Sequence, residues 1–529
     1  MGELKIKVKA GFLILPVGEF VGSHRINVIR NGMVEDDFTL RLDYRNPVAY
    51  SYYPIGKYMG EEITLAVSPD MDLCDMQTDT PRESDNGENF RPFIHFTAKY
   101  GWINDPNGLL KYTSPVTGRT TYHMFYQFNP YDWVWGNMHW GHAVSEDLFR
   151  WKRLEPALCP DEYGTVFSGS AIVDKENRSG LKTGDEDVIL LFYTCAGNTS
   201  YRSAGKKFTQ CLAYSNDGGA TFKKYENNPV VGHIAADNRD PKVVWCSELG
   251  KYVMALYLER DEYMLLTSDN LLKWEEYERL HIERDCECPD FYPLSVKGRR
   301  MWVLSGAAHH YMIGEFVNGK FKIIQNSRLL SYGNSSYAAQ TFSTDNENER
   351  IQIAWDRNHS FGSAHFCGQM SIPCEISLSE SDDDYYLCAT PVSLIETLRR
   401  DKREYRMINI DRDKPMTDSL EESAYELDLM FEPSLLSSDV VIGLFDQQIV
   451  LKPALNTVNV GSDSVPMTMS GRKAELKFII DKGGAEIFSC ENRAILTTPW
   501  TLNFNCCDIK ISSDSKAVIE KLTLTKLSL

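Results

Sequence analysis

Ser145-Glu146-Asp147-Leu148-Phe149-Arg150-Trp151 returns twice in altered form, as Ser215-Asn216-Asp217-Gly218-Gly219-Ala220-Thr221-Phe222 and as Ser268-Asp269-Asn270-Leu271-Leu272-Lys273-Trp274. Each version opens on Ser, turns through Asp or Asn and closes on an aromatic, which is the pattern of a hairpin between two strands. Five apolar runs are spaced around these hairpins: Tyr122 to Phe128, Val188 to Thr194, Tyr252 to Leu258, Met301 to Ser305 and Ile351 to Trp355. Their starts lie roughly 50 to 65 residues apart, the spacing of four-stranded propeller blades. Residues 90–398 are therefore expected to form a five-bladed β-propeller.

The repeat gives meaning to a set of polar motifs. Gly101-Trp102-Ile103-Asn104-Asp105-Pro106-Asn107-Gly108 precedes the first run, Arg239-Asp240-Pro241 the third and Cys286-Glu287-Cys288-Pro289-Asp290 the fourth. Phe167-Ser168-Gly169-Ser170 and Ser336-Tyr337-Ala338-Ala339-Gln340 hold the same place before the second and fifth. Asp-Pro and Asn-Gly alone would signal only turns. Because the first strand of each blade lines the central axis, five motifs at one relative position converge at one mouth of the channel. Asp105, Asp240 and Glu287 are thus expected in one site.

On either side the chain keeps a strand pattern. Residues 1–75 read as a small β-sandwich with strands Leu4–Val8, Phe12–Val17, His24–Ile29, Phe38–Leu42 and Ile63–Val67, and with no catalytic constellation. Residues 76–89 are polar, lack periodicity and read as a linker. Residues 399–529 read as a second β-sandwich, joined by the charged segment Arg399 to Lys414. The whole is expected to be all-β, a propeller followed by a C-terminal sandwich with a small extra N-terminal β domain.

Bulk properties exclude several classes. A net charge of -18 and pI near 5.2 oppose nucleic-acid or anionic-membrane partners, which need a positive footprint. No apolar stretch approaches the ~20 residues of a membrane span. The 13 cysteines, an odd number in a long chain, read as reduced thiols. Lys5, Lys7 and Lys9 before Phe12-Leu13-Ile14-Leu15 suggest a signal peptide only superficially, since the run is short and Pro16 closes it. A cytoplasmic location is expected unless a signal was removed before this numbering. Cys286 and Cys288 lack a second pair at ligand spacing, so no metal and no cofactor is expected. His309-His310 reads as a strand-end pair.

Two carboxyls facing across a sugar ring are the usual means of glycoside hydrolysis, and a third can hold ring hydroxyls. Asn104, Asn107 and the turn amides near Asp105 would keep it ionised, as a nucleophile requires. Glu287 stands between two thiols and before a proline, a less polar setting suited to a general acid/base. Plain packing would also explain Trp133, Trp135 and Trp140; Trp135, beside Gly136 in a turn-rich loop, is the candidate for stacking on a sugar.

Trp102 to Gly108, Phe125-Tyr126-Gln127-Phe128-Asn129-Pro130, Trp135 to His142, Phe167 to Ser170, Arg239-Asp240-Pro241-Lys242 and Glu287 to Asp290 resemble glycoside hydrolase family 32 in order and spacing. The likeness covers about residues 90 to 395 and reaches Phe478 to Phe488. It implies a retaining β-fructofuranosidase of the invertase, levanase and inulinase kind, working through a fructosyl-enzyme intermediate, with carboxyls about 5 to 5.5 Å apart. It also implies Asp105 as nucleophile, Glu287 as acid/base and Asp240 as transition-state stabiliser, with Asn104, Gln127, Trp135, Phe167, Ser168 and Arg239 lining the fructose pocket. The partner would be a neutral fructose-containing sugar. Phe12 to Val17 resembles, more weakly, an extra N-terminal β domain of some bacterial fructanases. In Gly368 to Glu375 an Arg of the family pattern is replaced by Cys374, which puts a structural ion pair in question. A fructosyltransferase on the same scaffold is the nearest alternative. A sialidase would need an arginine cluster and a tyrosine nucleophile that cannot be assembled here, and an inactive sugar-binding propeller would be expected to lose one of the three acids.

Overall fold

A computed structural model describes residues 2–81, 87–344, 346, 349–361, 364–382, 384–432, 438–468, 473–500 and 506–529, with backbone alone at 358–360. Among these the protein is all-β, its helical content limited to short 3-10 turns such as Ser393–Leu398. No described helix is long and apolar enough to cross a membrane.

The hairpin repeat has a local cause. In the first copy Asp147 accepts hydrogen bonds from the backbone N–H groups of Phe149 and Arg150, and the Trp151 indole donates to the Leu148 carbonyl. In the third, Asn270 accepts from Leu272 and Lys273, and Trp274 donates to Leu271. Leu148 and Leu271 both sit in the left-handed region, at φ 67° and 64°. The short polar side chain bridges its own turn, and the closing ring caps the strained leucine. Each hairpin joins the third and fourth strands of a sheet.

Three sheets of four antiparallel strands follow one another along the chain, opening with Thr165–Asp174, Arg239–Cys246 and Asp290–Val296. A nine-stranded sheet combines the start and end of the central region, where Gly101–Thr113 and Phe366–Met370 pair in parallel through Gly101 and Trp102. The five apolar runs are the second strands, buried because neighbouring sheets pack on both of their faces. The opening strands touch in a cycle: Gly101–Thr113 meets Thr165–Asp174, then Arg239–Cys246, Asp290–Val296 and Ser336–Thr341, which returns to Gly101–Thr113.

At the N-terminus a four-stranded sheet and a three-stranded sheet close over one apolar core that includes Leu13, Leu15, Ile26, Val28 and Leu65. Ala49–Pro54, which the sequence reading omitted, pairs with Phe12–Val17. The segment read as a linker from residue 76 begins as the strand Gln77–Thr78, also paired with Phe12–Val17; Gln77 accepts from the Lys9 backbone at 2.7 Å. Its polarity reflects an edge position, and its residues 82–86 lie outside the described set.

The C-terminal region pairs a seven-stranded with a six-stranded sheet across a shared core. Arg399–Ile410, read as part of a charged joining segment, is itself the outer strand of the larger sheet. Its charges line an edge that discourages pairing with another chain. His95 meets this region at a buried contact, with Nδ1 2.9 Å from Asp481 and Nε2 3.5 Å from Glu486.

Candidate active site

Asp105 and Asp240 reach the site because their opening strands are broken in the same way, and Glu287 reaches it from the turn just before Asp290–Val296. Register shifts fall at Asn104/Pro106, Phe167/Gly169, Arg239/Lys242 and Tyr337/Gln340. Adjacent strand residues ordinarily face opposite ways, and a bulge turns both to one side. Asn104 with Asp105, Phe167 with Ser168, and Arg239 with Asp240 therefore all line the same cavity. Pro241 lies on an edge strand, and Pro106 lies beyond Gly101 and Trp102, where the parallel pairing with Phe366–Met370 stops, so on that side neither missing N–H costs a ladder bond. Asp240, Glu287, Cys288 and Ala338 have φ of 65°, 58°, 37° and 52°. Side chains in that region cost about 1–3 kcal/mol each and concentrate at functional sites.

The cavity holds about 190 Å³ and is lined by all nine residues singled out from sequence, together with Cys288, Tyr337 and Trp355. Asp105 accepts from Ser168 Oγ at 2.7 Å and from the Cys288 thiol at 3.5 Å. Asp240 Oδ2 accepts from the Cys288 backbone at 3.0 Å and lies 3.8 Å from Arg239 Nε. Glu287 is gripped from both sides, by Arg239 Nη2 at 2.6 Å and by the Tyr337 hydroxyl at 2.5 Å. Tyr257 lies under the guanidinium, 4.7 Å from ring centroid to Cζ. Trp135 stands edge-on to Phe167 with more than half its surface open to solvent.

Electrostatics correct the reading of Glu287 as the less polar carboxylate. Burial raises Asp105 above the usual range, against the hydrogen bonds of Ser168 and Asn104, and the charge of Glu287 adds to the rise. Burial also lifts Asp240 to about 7, opposed by Arg239 and reinforced by Glu287 and Asp105. For Glu287 burial is outweighed by Tyr337 and Arg239, which hold its carboxyl below the ordinary value. The sequence neighbours Cys286 and Cys288 do not set its environment; side chains about 50 positions away do.

Tyr337→Phe therefore has a signed consequence. Removing the hydroxyl raises the Glu287 pKa, so the protonated acid persists to higher pH and the alkaline limb of kcat/KM moves upward. A pH–rate profile of the variant beside wild type checks this, and an unmoved or lowered limb contradicts it.

Tyr337 lay in a quoted motif but was not singled out, and Trp355 looked like the end of an apolar strand. A Tyr following Ser336 on an opening strand was the available signal for the first; the second had none. Gln127 Nε2 and Trp355 Nε1 are buried on the cavity wall without a hydrogen-bond partner among the described residues. Buried donors in that state mark a place where a polar ligand completes the bonding. Cys374 is buried near Glu486, its thiol donating to the Ile372 carbonyl at 3.7 Å. The positive group facing Glu486 is His95.

This scaffold is shared with solved structures. A fructofuranosidase from Schwanniomyces occidentalis, solved in complex with fructose, aligns at a TM-score of 0.73 over 85% of this chain and 100% of its own, at 24% identity. The chain belongs to glycosyl hydrolase family 32, whose N-terminal domain model matches residues 95–391, more than half of its length. Among curated relatives, a levanase of Bacillus subtilis is 31% identical over 467 residues, covering 78% of this chain and 66% of the levanase. An invertase of Debaryomyces hansenii is 35% identical over 297 residues, covering 51% of this chain and 53% of the invertase. The chain thus spans about two thirds of the first relative and about half of the second.

Proposed function

We propose that the protein is a retaining β-fructofuranosidase that hydrolyses terminal β-D-fructosyl linkages in sucrose, fructo-oligosaccharides or fructans. The observation that carries this reading is the meeting of Asp105, Asp240 and Glu287 in one cavity with donors of Gln127 and Trp355 that have no partner among the described residues. The cycle of opening strands supports a five-bladed propeller over residues 90–398, with β-sandwich domains over 1–75 and 399–529.

In the first step a carboxylate oxygen of Asp105 attacks the anomeric carbon while the glycosidic bond breaks, and Glu287 gives its proton to the departing oxygen. In the second, Glu287 takes a proton from water, the water oxygen attacks the same carbon, and the ester to Asp105 breaks. Asp240 accepts from fructose hydroxyls, whose protons offset the unfavourable burial of its charge. Arg239 holds Glu287 in place and neutralises one of three crowded negative charges. The low pKa of Glu287 in the open site rises when a sugar displaces water and Asp105 faces it ionised.

Product analysis after incubation with sucrose, kestose, inulin and levan tests the reading. Free fructose as the first product is the expected result, longer oligosaccharides would indicate transfer, and inertness on all four would sink it. Glu287→Gln should slow turnover most for substrates with poor leaving groups, since only these need protonation. A uniform loss across a series of aryl fructosides would contradict the acid/base role.

A further inference from the structure

The N-terminal sheet, which carries no catalytic residue, is clasped to the rim of the catalytic cavity. Thr39 N–H donates to Asn137 Oδ1 at 2.8 Å, and Asn137 Nδ2 returns a bond to the Thr39 carbonyl at 2.7 Å. Arg41 Nε donates to Asp132 Oδ2 at 3.0 Å, and the Asp132 side chain is only 1% exposed. These bonds hold both ends of the loop that presents Trp135. A second rim loop is held by Asp37, which accepts from the backbone of Tyr201 at 2.7 Å and Arg202 at 3.1 Å.

Between this sheet and the rim run two further cavities. One, of about 290 Å³, shares Trp135 with the catalytic cavity and is walled by Arg25, Asp37 and Thr39 opposite Thr199 and Ser200. The other, of about 460 Å³, shares Asp36, Tyr131, His139 and Pro160 with the first. The first thus adjoins the catalytic cavity at Trp135, and the second adjoins the first at Asp36 and Pro160. At about 190 Å³ the catalytic cavity is smaller than the ~300–1,000 Å³ that encloses a drug-sized ligand, so it suits one sugar ring and leaves the rest of a longer substrate outside.

The geometry points to the seam between the N-terminal sheet and the catalytic sheets as the binding groove for the leaving-group side of an oligomeric or polymeric fructan. This rests on the proposed β-fructofuranosidase activity and adds where the second and later sugar units lie. The chemistry of the walls fits a neutral polyol. Trp135 offers an open aromatic face at the junction. Arg25, Asp37, Thr39 and Ser200 bring donors and acceptors of both kinds to the adjoining walls. An uncharged chain also meets no repulsion from a protein of net charge -18. In this arrangement the N-terminal sheet selects for substrate length, because a disaccharide ends near Trp135 and a longer chain continues along the seam.

The test is a pair of blocking variants, Arg25→Trp and Pro160→Trp, assayed on sucrose and on a defined fructan such as levan. Arg25 is exposed and Pro160 half-buried, so neither substitution intrudes on a core. Taking the ratio of kcat/KM for the two substrates on one enzyme sample cancels any loss of folded protein. Each variant should lower that ratio for the polymer about tenfold through KM, with sucrose turnover unchanged. An unchanged ratio, whether both rates hold or both fall together, overturns the groove while leaving the hydrolase reading intact. Wild-type protein inert on every fructoside would instead overturn the hydrolase reading.

Discussion

Asp105→Asn is expected to lower kcat on any fructoside by on the order of 10⁴-fold or more, the scale at which removing a nucleophile acts. The amide cannot form the ester intermediate, and no neighbouring carboxylate substitutes, because Asp240 is fixed by the Cys288 N–H and Arg239, and Glu287 by Arg239 and Tyr337. Stability should not fall. Burial and the charge of Glu287 both disfavour ionised Asp105, so a neutral isostere relieves a cost that function imposes. Steady-state kinetics with a thermal melt of the same sample read both effects. Residual turnover within a hundredfold of wild type would remove Asp105 from the nucleophile role.

His95→Ala is expected to destabilise the fold by about 3–5 kcal/mol, the cost of leaving buried charges without their partner. Asp481 also accepts from the backbone of Phe93, Ile94 and His95, so those bonds survive the truncation while the imidazolium is lost. Burial opposes the charged ring, but Asp481 and Glu486 outweigh it and raise His95 from 6.5 to about 10. A group whose folded pKa is raised contributes stability that is fully present below its unfolded value and lost as pH rises through the folded one. The denaturation midpoint of the wild type should therefore decline between about 6.5 and about 10, and that part of the decline should be absent in His95→Ala. Guanidinium melts across this range measure it. Parallel pH dependence in the two proteins would place the stabilising charge elsewhere.

The Cys374 position shows how such a contact escapes one-dimensional reading. A missing arginine could be noticed in the sequence, whereas a histidine almost 280 positions earlier supplies the positive charge at Glu486. Pairing of that kind depends on how sheets stack, and stacking leaves no local pattern. The charged strand Arg399–Ile410 was obscured for a related reason, since an edge strand needs little apolar alternation to pair.

What the sequence by itself determined is whatever neighbours in the chain decide. Asp147 and Asn270 bridge their own turns, and the second strands are largely apolar because both faces are covered, so hairpins, spacing and the three acidic motifs could all be read in line. Nine pocket residues followed from that placement and from the family resemblance. Only the tertiary structure decided the rest. Tyr337 and Arg239 converge on Glu287 from about 50 residues away on either side, and reverse the polarity that its flanking thiols suggested. The N-terminal strands, without a catalytic group of their own, hold the loop of Trp135 through Thr39 and Arg41. Hydrogen bonds and charges act over a few ångströms of space whatever the distance along the chain, so the chemistry of each carboxylate was settled by folding.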